Sequence, residues 1–152
     1  MSNYRGHCAF NILLALPVCI AAQFYILHPQ SAFLLTFAGT FIYTTLFMSP
    51  DLDLVHNIKL SSVRGILSLP FRAYSSVFKH RGISHSFFWG SLTRIGWLSG
   101  VALLIFFILY ETLPSTSSLV FYWKYYRSFL LYALGGICVA DWCHLLLDLK
   151  LR

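Results

Sequence analysis

Residues 8–27 read Cys-Ala-Phe-Asn-Ile-Leu-Leu-Ala-Leu-Pro-Val-Cys-Ile-Ala-Ala-Gln-Phe-Tyr-Ile-Leu, with no charged side chain among them. A helix of about 20 apolar residues is what a hydrocarbon core of about 30 Å requires. Pro17 lies inside the run and predicts a kink, which neighbouring helices can accommodate. The polar turn His28-Pro29-Gln30-Ser31 follows, and then a second apolar run, Ala32 to Met48. A third span is predicted from about residue 86 to Tyr110, interrupted by Arg94 alone. The polar loop 111–118 and the aromatic stretch around Trp123, Tyr125 and Tyr126 precede a fourth span, 128–149. The fold expected is all-α, an integral membrane four-helix bundle occupying residues 1–152 as one domain.

Composition supports lipid as the solvent. The 152 residues are 58% hydrophobic, 18% aromatic and only 11% charged, whereas soluble domains carry about a quarter charged residues. The net charge of +6 comes from basic residues scattered over loops. They form no stripe interleaved with stacking aromatics, which argues against nucleic acid and for lipid headgroups or phosphorylated substrates. Cys8, Cys19, Cys138 and Cys143 have no CxxC spacing and lie in apolar runs. They read as free, buried thiols, with Cys143 near enough to the polar cluster described below to be weighed as a soft ligand. The first run lacks a small-residue cleavage pattern and does not read as a signal peptide.

Residues 54–79 differ from the spans. Lys59, Arg64, Arg72 and Lys79 alternate with Leu, Ile, Val and Phe, and Gly65 and Pro70 break the pattern. This predicts an amphipathic segment at the interface, its basic side chains toward lipid phosphates. With four spans, Arg5, Lys59, Arg64, Arg72, Lys79, Arg81, Lys150 and Arg152 fall on one side, and Lys124 and Arg127 on the other. By the positive-inside rule both termini and the long loop are cytoplasmic.

That topology brings scarce polar groups to one face. His7 precedes the first span, Asp51 and Asp53 follow the second, and His80 and His85 precede the third. Asp141, His144 and Asp148 lie in the last turns of the fourth. Spacings of three and seven put these last three within about 60° on a helix. A carboxylate at membrane depth costs about 3 kcal/mol unless compensated, and a bound divalent cation compensates it. Mixed imidazole and carboxylate donors suit zinc first, with manganese or iron as alternatives. The candidates exceed one tetrahedral shell, so either two metals bind or some groups orient the others.

Each element also has a plain structural reading. Asp51 and Asp53 fit a turn and helix cap, Asp141 and Asp148 fit buried ion pairs, and His80 and His85 fit an interface. His28 belongs to the opposite side, and His56 falls in the amphipathic loop. Arg81, beside His80 and the flexible Gly82, suits a phosphate or carboxylate group of a substrate, or else pairs Asp51 or Asp53. Arg94 snorkels or pairs with Asp141. Asn11, one turn after His7, is either a minor ligand or a helix–helix hydrogen-bonding residue.

His7, Ser-Pro-Asp-Leu-Asp (49–53), His-Arg-Gly-Ile-Ser-His-Ser (80–86) and His-Leu-Leu-Leu-Asp (144–148), in that order, resemble small bacterial membrane proteins of the metal-binding, YdjM-type metal-dependent membrane hydrolase class. The resemblance covers nearly the whole chain. It implies metal ligation by His7, Asp51, Asp53, His80, His85, His144 and Asp148, and an inner-membrane location. It further hints at distant kinship with zinc-dependent phospholipases C, hence phosphoester hydrolysis, by analogy. The chain departs from the family at Gly6, where threonine is common, and Asp141 stands outside the family pattern.

The reading that follows is a metal-dependent hydrolase acting at the cytoplasmic interface on a phospholipid or polyprenyl phosphate. Arg81 would steady the substrate, and Asp141 would serve as general base. The first rival is a non-enzymatic protein whose metal is structural and docks a partner. A metal transporter ranks third, because its ligands belong near mid-membrane.

Overall fold

The computed structural model describes residues 4–48, 62–77 and 88–150, and every regular element among them is helical. The first apolar run is continuous, but not as one α-helix. Helix α1 (Tyr4–Phe10) passes into a π-helical stretch, Asn11–Ala15, and then into α2 (Leu16–Leu27). Pro17 sits in the first turn of α2, where its missing N–H is tolerated. Upstream, the backbone widens so that the Leu16 N–H donates to the Asn11 carbonyl, five residues back. The perturbation expected as a kink at Pro17 is thus taken up by a π turn before it.

His28 closes α2 in the left-handed region at φ 45°, and its N–H donates to the Phe24 carbonyl. Helix α3 (Ser31–Phe47) corresponds to the second apolar run and has 17 residues. Two short helices, α4 (Val63–Leu67) and α5 (Leu69–Val77), follow with a break at Ser68. The described part of the expected amphipathic segment, residues 62–77, therefore holds two helices, with Phe71 and Tyr74 buried against Met48 and Ile137. Residues 54–61, 78 and 79 lie outside the described residues. Helix α6 (Trp89–Tyr110) ends at Glu111, again left-handed, at φ 55°.

Helix α7 (Thr116–Lys150) is 35 residues long. It begins at Thr116, well before the Ser128 start expected from hydropathy, and includes the aromatic stretch. Ser115 caps it, its Oγ accepting from the Ser118 N–H at 3.2 Å. No proline and no glycine interrupts the chain from there until Gly135. At 1.5 Å per residue it spans about 52 Å, more than a hydrocarbon core needs.

Among the described residues, three helical segments are long and apolar enough to cross a membrane: Gly6–Leu27, Trp89–Tyr110 and Thr116–Leu149. Helix α3 is apolar but shorter. It lies along α7 in the same direction, with Phe33 against Phe129 and Tyr132, and Phe37 near Gly135. Gly136 makes the approach possible. A Cβ there would meet Thr40 Oγ1 at 2.2 Å and the Phe37 carbonyl oxygen at 2.7 Å, so α3 and α7 touch backbone to backbone. Ala15, Leu16, Phe37, Phe41 and Ala140 form the core where α2, the π turn, α3 and α7 meet.

Candidate metal centre

The site is built from opposite ends of the chain. His7 comes from α1, and His144 and Asp148 from the last turns of α7. His144 and Asp148 are four residues apart, so they share one face of α7. Both imidazoles are buried, while the Asp148 side chain is 38% exposed. His7 Nε2 lies 3.2 Å from Asp148 Oδ1, and His144 Nε2 lies 3.6 Å from Asp148 Oδ2. The two rings stack with centroids 4.2 Å apart.

The donor set fits a divalent cation. One ligand atom from each residue lies within 4.8 Å of the others. Ligands at about 2.0–2.1 Å around a tetrahedral ion stand about 3.3 Å apart, and the 3.2 and 3.6 Å separations straddle that value. Two imidazole nitrogens facing one carboxylate make a mixed nitrogen and oxygen set of the kind zinc, manganese and iron accept. Among the described residues, these three candidate ligands leave a tetrahedral shell one position short. The half-exposed Asp148 marks the open side.

The family model for Uncharacterized metal-binding protein (DUF2227) matches residues 5–151. The chain belongs to this family. No curated protein and no solved structure matches it.

In this DUF2227 protein the remaining candidates divide into two groups. Asp51, Asp53, His80, Arg81 and His85 lie outside the described residues, as does His56. Asp141 is described, and α6 engages both of its oxygens: Ser91 Oγ donates to Oδ2 at 2.9 Å, and Arg94 Nη1 donates to Oδ1. Arg94 and Asp141 are both buried. The structure therefore gives Asp141 to an ion pair with Arg94, not to the His7–His144–Asp148 cluster. Arg94 pairs rather than snorkels. With both carboxylate oxygens engaged by α6, the geometry favours an anchoring role for Asp141 over that of general base.

Asn11 links three helices. Its Nδ2 donates to Thr45 Oγ1 on α3 at 3.3 Å and to the Ala140 carbonyl on α7 at 3.2 Å. These contacts lie one turn from His7 and one turn from His144. The side chain thus acts as a cross-helix tie beside the two ligands. Cys143 packs with the apolar core and is not one of the clustered ligand residues. His28 caps the far end of α2.

Sequence reasoning missed Ser91 and Thr45. Ser91 precedes Arg94 by three residues on an otherwise apolar helix, a spacing that places both on one face. Thr45 carried no comparable signal, because its partner comes from another helix.

Proposed function

We propose that the protein is a metal-dependent membrane hydrolase whose His7, His144 and Asp148 hold a divalent cation at one end of its helices. The observation that carries this reading is the convergence of two buried imidazoles, far apart in sequence, on one half-exposed carboxylate. Membership of a metal-binding family supports the metal, and helices long and apolar enough to cross a bilayer support the location. The resemblance carried by His7, residues 49–53, residues 80–86 and residues 144–148 supports hydrolysis. Zinc is the first expectation.

When bound, the cation supplies Lewis acidity toward a phosphoryl oxygen and acidifies water beside it. The chain's residues provide the setting. The stacked imidazoles fix two donors and exclude water from the protein side. Asp148 supplies a charge that partly neutralises the cation and faces the open side, where a substrate approaches. Asp141 and Arg94 join α6 to α7 about one turn deeper. Asp51, Asp53, His80 and His85 are proposed to add ligands from the segments outside the described residues, with Arg81 holding the anionic group of a phospholipid or polyprenyl phosphate. The distribution of lysine and arginine supports placing this end on the cytoplasmic side of a bacterial inner membrane.

Elemental analysis of detergent-purified wild type, His144→Ala and Asp148→Ala tests the metal. Hydrolysis of a panel of phosphoesters and lipid phosphates, with and without chelator, tests the activity. Metal lost in both variants together with chelator-sensitive hydrolysis is the expected result. Bound metal without hydrolysis of any substrate would favour a structural metal that joins the helix ends. Unchanged metal in both variants would remove the site.

A further inference from the structure

Residues 62–77 pack against side chains of α3, α6 and α7, inward from the ends of those helices. Three contacts fix the level of the break between α4 and α5. Tyr43 Oη donates to the Leu67 carbonyl at 2.9 Å, Trp97 Nε1 donates to the Pro70 carbonyl at 2.8 Å, and Tyr74 Oη shares a 2.9 Å hydrogen bond with Thr93 Oγ1. Phe71 and Tyr74 also pack against Ile137 of α7. The end of the helices that bears His144 is also the end where α3 stops and α6 starts. Counting from there at 1.5 Å per residue, Tyr43, Ile137 and Trp97 lie about 7–12 Å inward.

The chemistry of the break matches an apolar environment. Pro70 has no N–H, and the turn at Ser68 interrupts the helical ladder. Water would satisfy such carbonyls at a wet surface. Here side chains of α3 and α6 satisfy the Leu67 and Pro70 carbonyls, Ser68 Oγ donates to the Gly65 carbonyl, and Ser62 Oγ accepts from the Gly65 N–H. Irregular backbone within a bilayer persists only where protein groups complete its hydrogen bonds. On the side away from the bundle, Val63, Ile66, Leu67 and Leu69 are exposed. They stand at the level of residues buried between α3, α6 and α7.

We propose that residues 62–77 form a re-entrant segment inserted into the lipid leaflet at the metal-centre end, with acyl chains covering Val63, Ile66, Leu67 and Leu69. The expectation of a helix resting on headgroups is replaced by one of a wedge among acyl chains. This goes beyond the hydrolase reading and needs no metal.

Two measurements test it. In unsealed membrane fragments, Ile66→Cys and Leu69→Cys should react with a charged maleimide at least tenfold more slowly than Thr112→Cys in the exposed loop before α7, and the three rates should converge in SDS. Peptide mass spectrometry separates these sites from the native cysteines. Rates within twofold of Thr112→Cys in membranes would overturn the proposal. So would protection accompanied by Ile66→Cys cross-links between chains, which would assign the surface to a second copy. On the unmodified chain, a phospholipid carrying a diazirine at its acyl terminus should label Val63–Leu69. Absence of adducts there, with adducts present on α6, would equally overturn it.

Discussion

The imidazoles of His7 and His144 stack at 4.2 Å although they are separated by almost the whole chain. Both are buried, and both turn Nε2 toward the carboxylate of Asp148. A divalent cation held by the three groups, as proposed, would account for the convergence of both rings on one carboxylate.

The first prediction concerns that convergence. His144→Ala should lower metal affinity at least about 100-fold, since losing even a residue that only orients a ligand costs 10–100-fold. His7→Ala should do the same, although His7 comes from the other end of the chain. Competition with a calibrated chelator measures both. A His7→Ala variant that binds metal normally would leave the site to α7 and segments outside the described residues.

The second prediction concerns Arg94 and Asp141. Removing one member of a buried ion pair leaves a charge without compensation and costs about 3–5 kcal/mol, while replacing both with apolar residues is often nearly neutral. Arg94→Leu and Asp141→Leu should each sharply lower the unfolding midpoint in detergent, and the double variant should recover most of the loss. If Asp141 were instead the general base, the double variant would be stable but inactive, and Asp141→Asn would lose activity while keeping its fold and metal. The pair's anchoring role predicts that Asp141→Asn loses stability before activity.

Much of this site was legible because polar residues are rare in the chain. His144 and Asp148 stood out as an i,i+4 pair on an apolar helix, and hydropathy together with the lysine and arginine bias carried His7 to the same end. The partner of Asp141 was harder to read, because it depends on how α6 and α7 pair, and Arg94 admitted both snorkelling and pairing. Helix α7 begins before the span expected from Ser128 for a physical reason. An aromatic stretch containing Lys124 and Arg127 has the composition of a membrane interface, yet nothing in it stops a helix. The same ambiguity affected residues 62–77, whose arginines suggested a surface and whose buried Phe71 and Tyr74 show packing within the bundle.

The third prediction uses adjacent glycines as a control. A Cβ at Gly136 would collide with Thr40 Oγ1 and the Phe37 carbonyl oxygen, whereas at Gly135 the nearest atom is 3.9 Å away. Gly136→Ala should therefore destabilise the α3–α7 pair by about 1–3 kcal/mol, the usual range for overpacking. Gly135→Ala should be neutral or slightly stabilising, because alanine is the better helix former. Unfolding midpoints measured side by side check this. Equal effects would mean that the backbone contact at Gly136 is not needed.

The fourth prediction addresses the π turn. Asn11–Ala15 adds width to the first helix between His7, which faces the metal centre, and Leu16, which packs in the core. Such a turn behaves as an inserted residue, so it sets the rotation of α1 relative to α2. Deleting Leu13, which is 77% exposed and therefore costs little packing, should restore α-helical bonding through the span. His7 would then keep its orientation relative to α2, because the extra residue and the wide turn that absorbs it are removed together. The variant should keep its helix content by circular dichroism, because the remaining run is still long enough to cross a bilayer. It should keep wild-type metal affinity, whereas inserting one alanine after Leu13 should turn His7 by about 100° and lose metal to the same degree as His7→Ala. An insertion variant that retains wild-type affinity would show that α1 reaches the site independently of the helix that follows it.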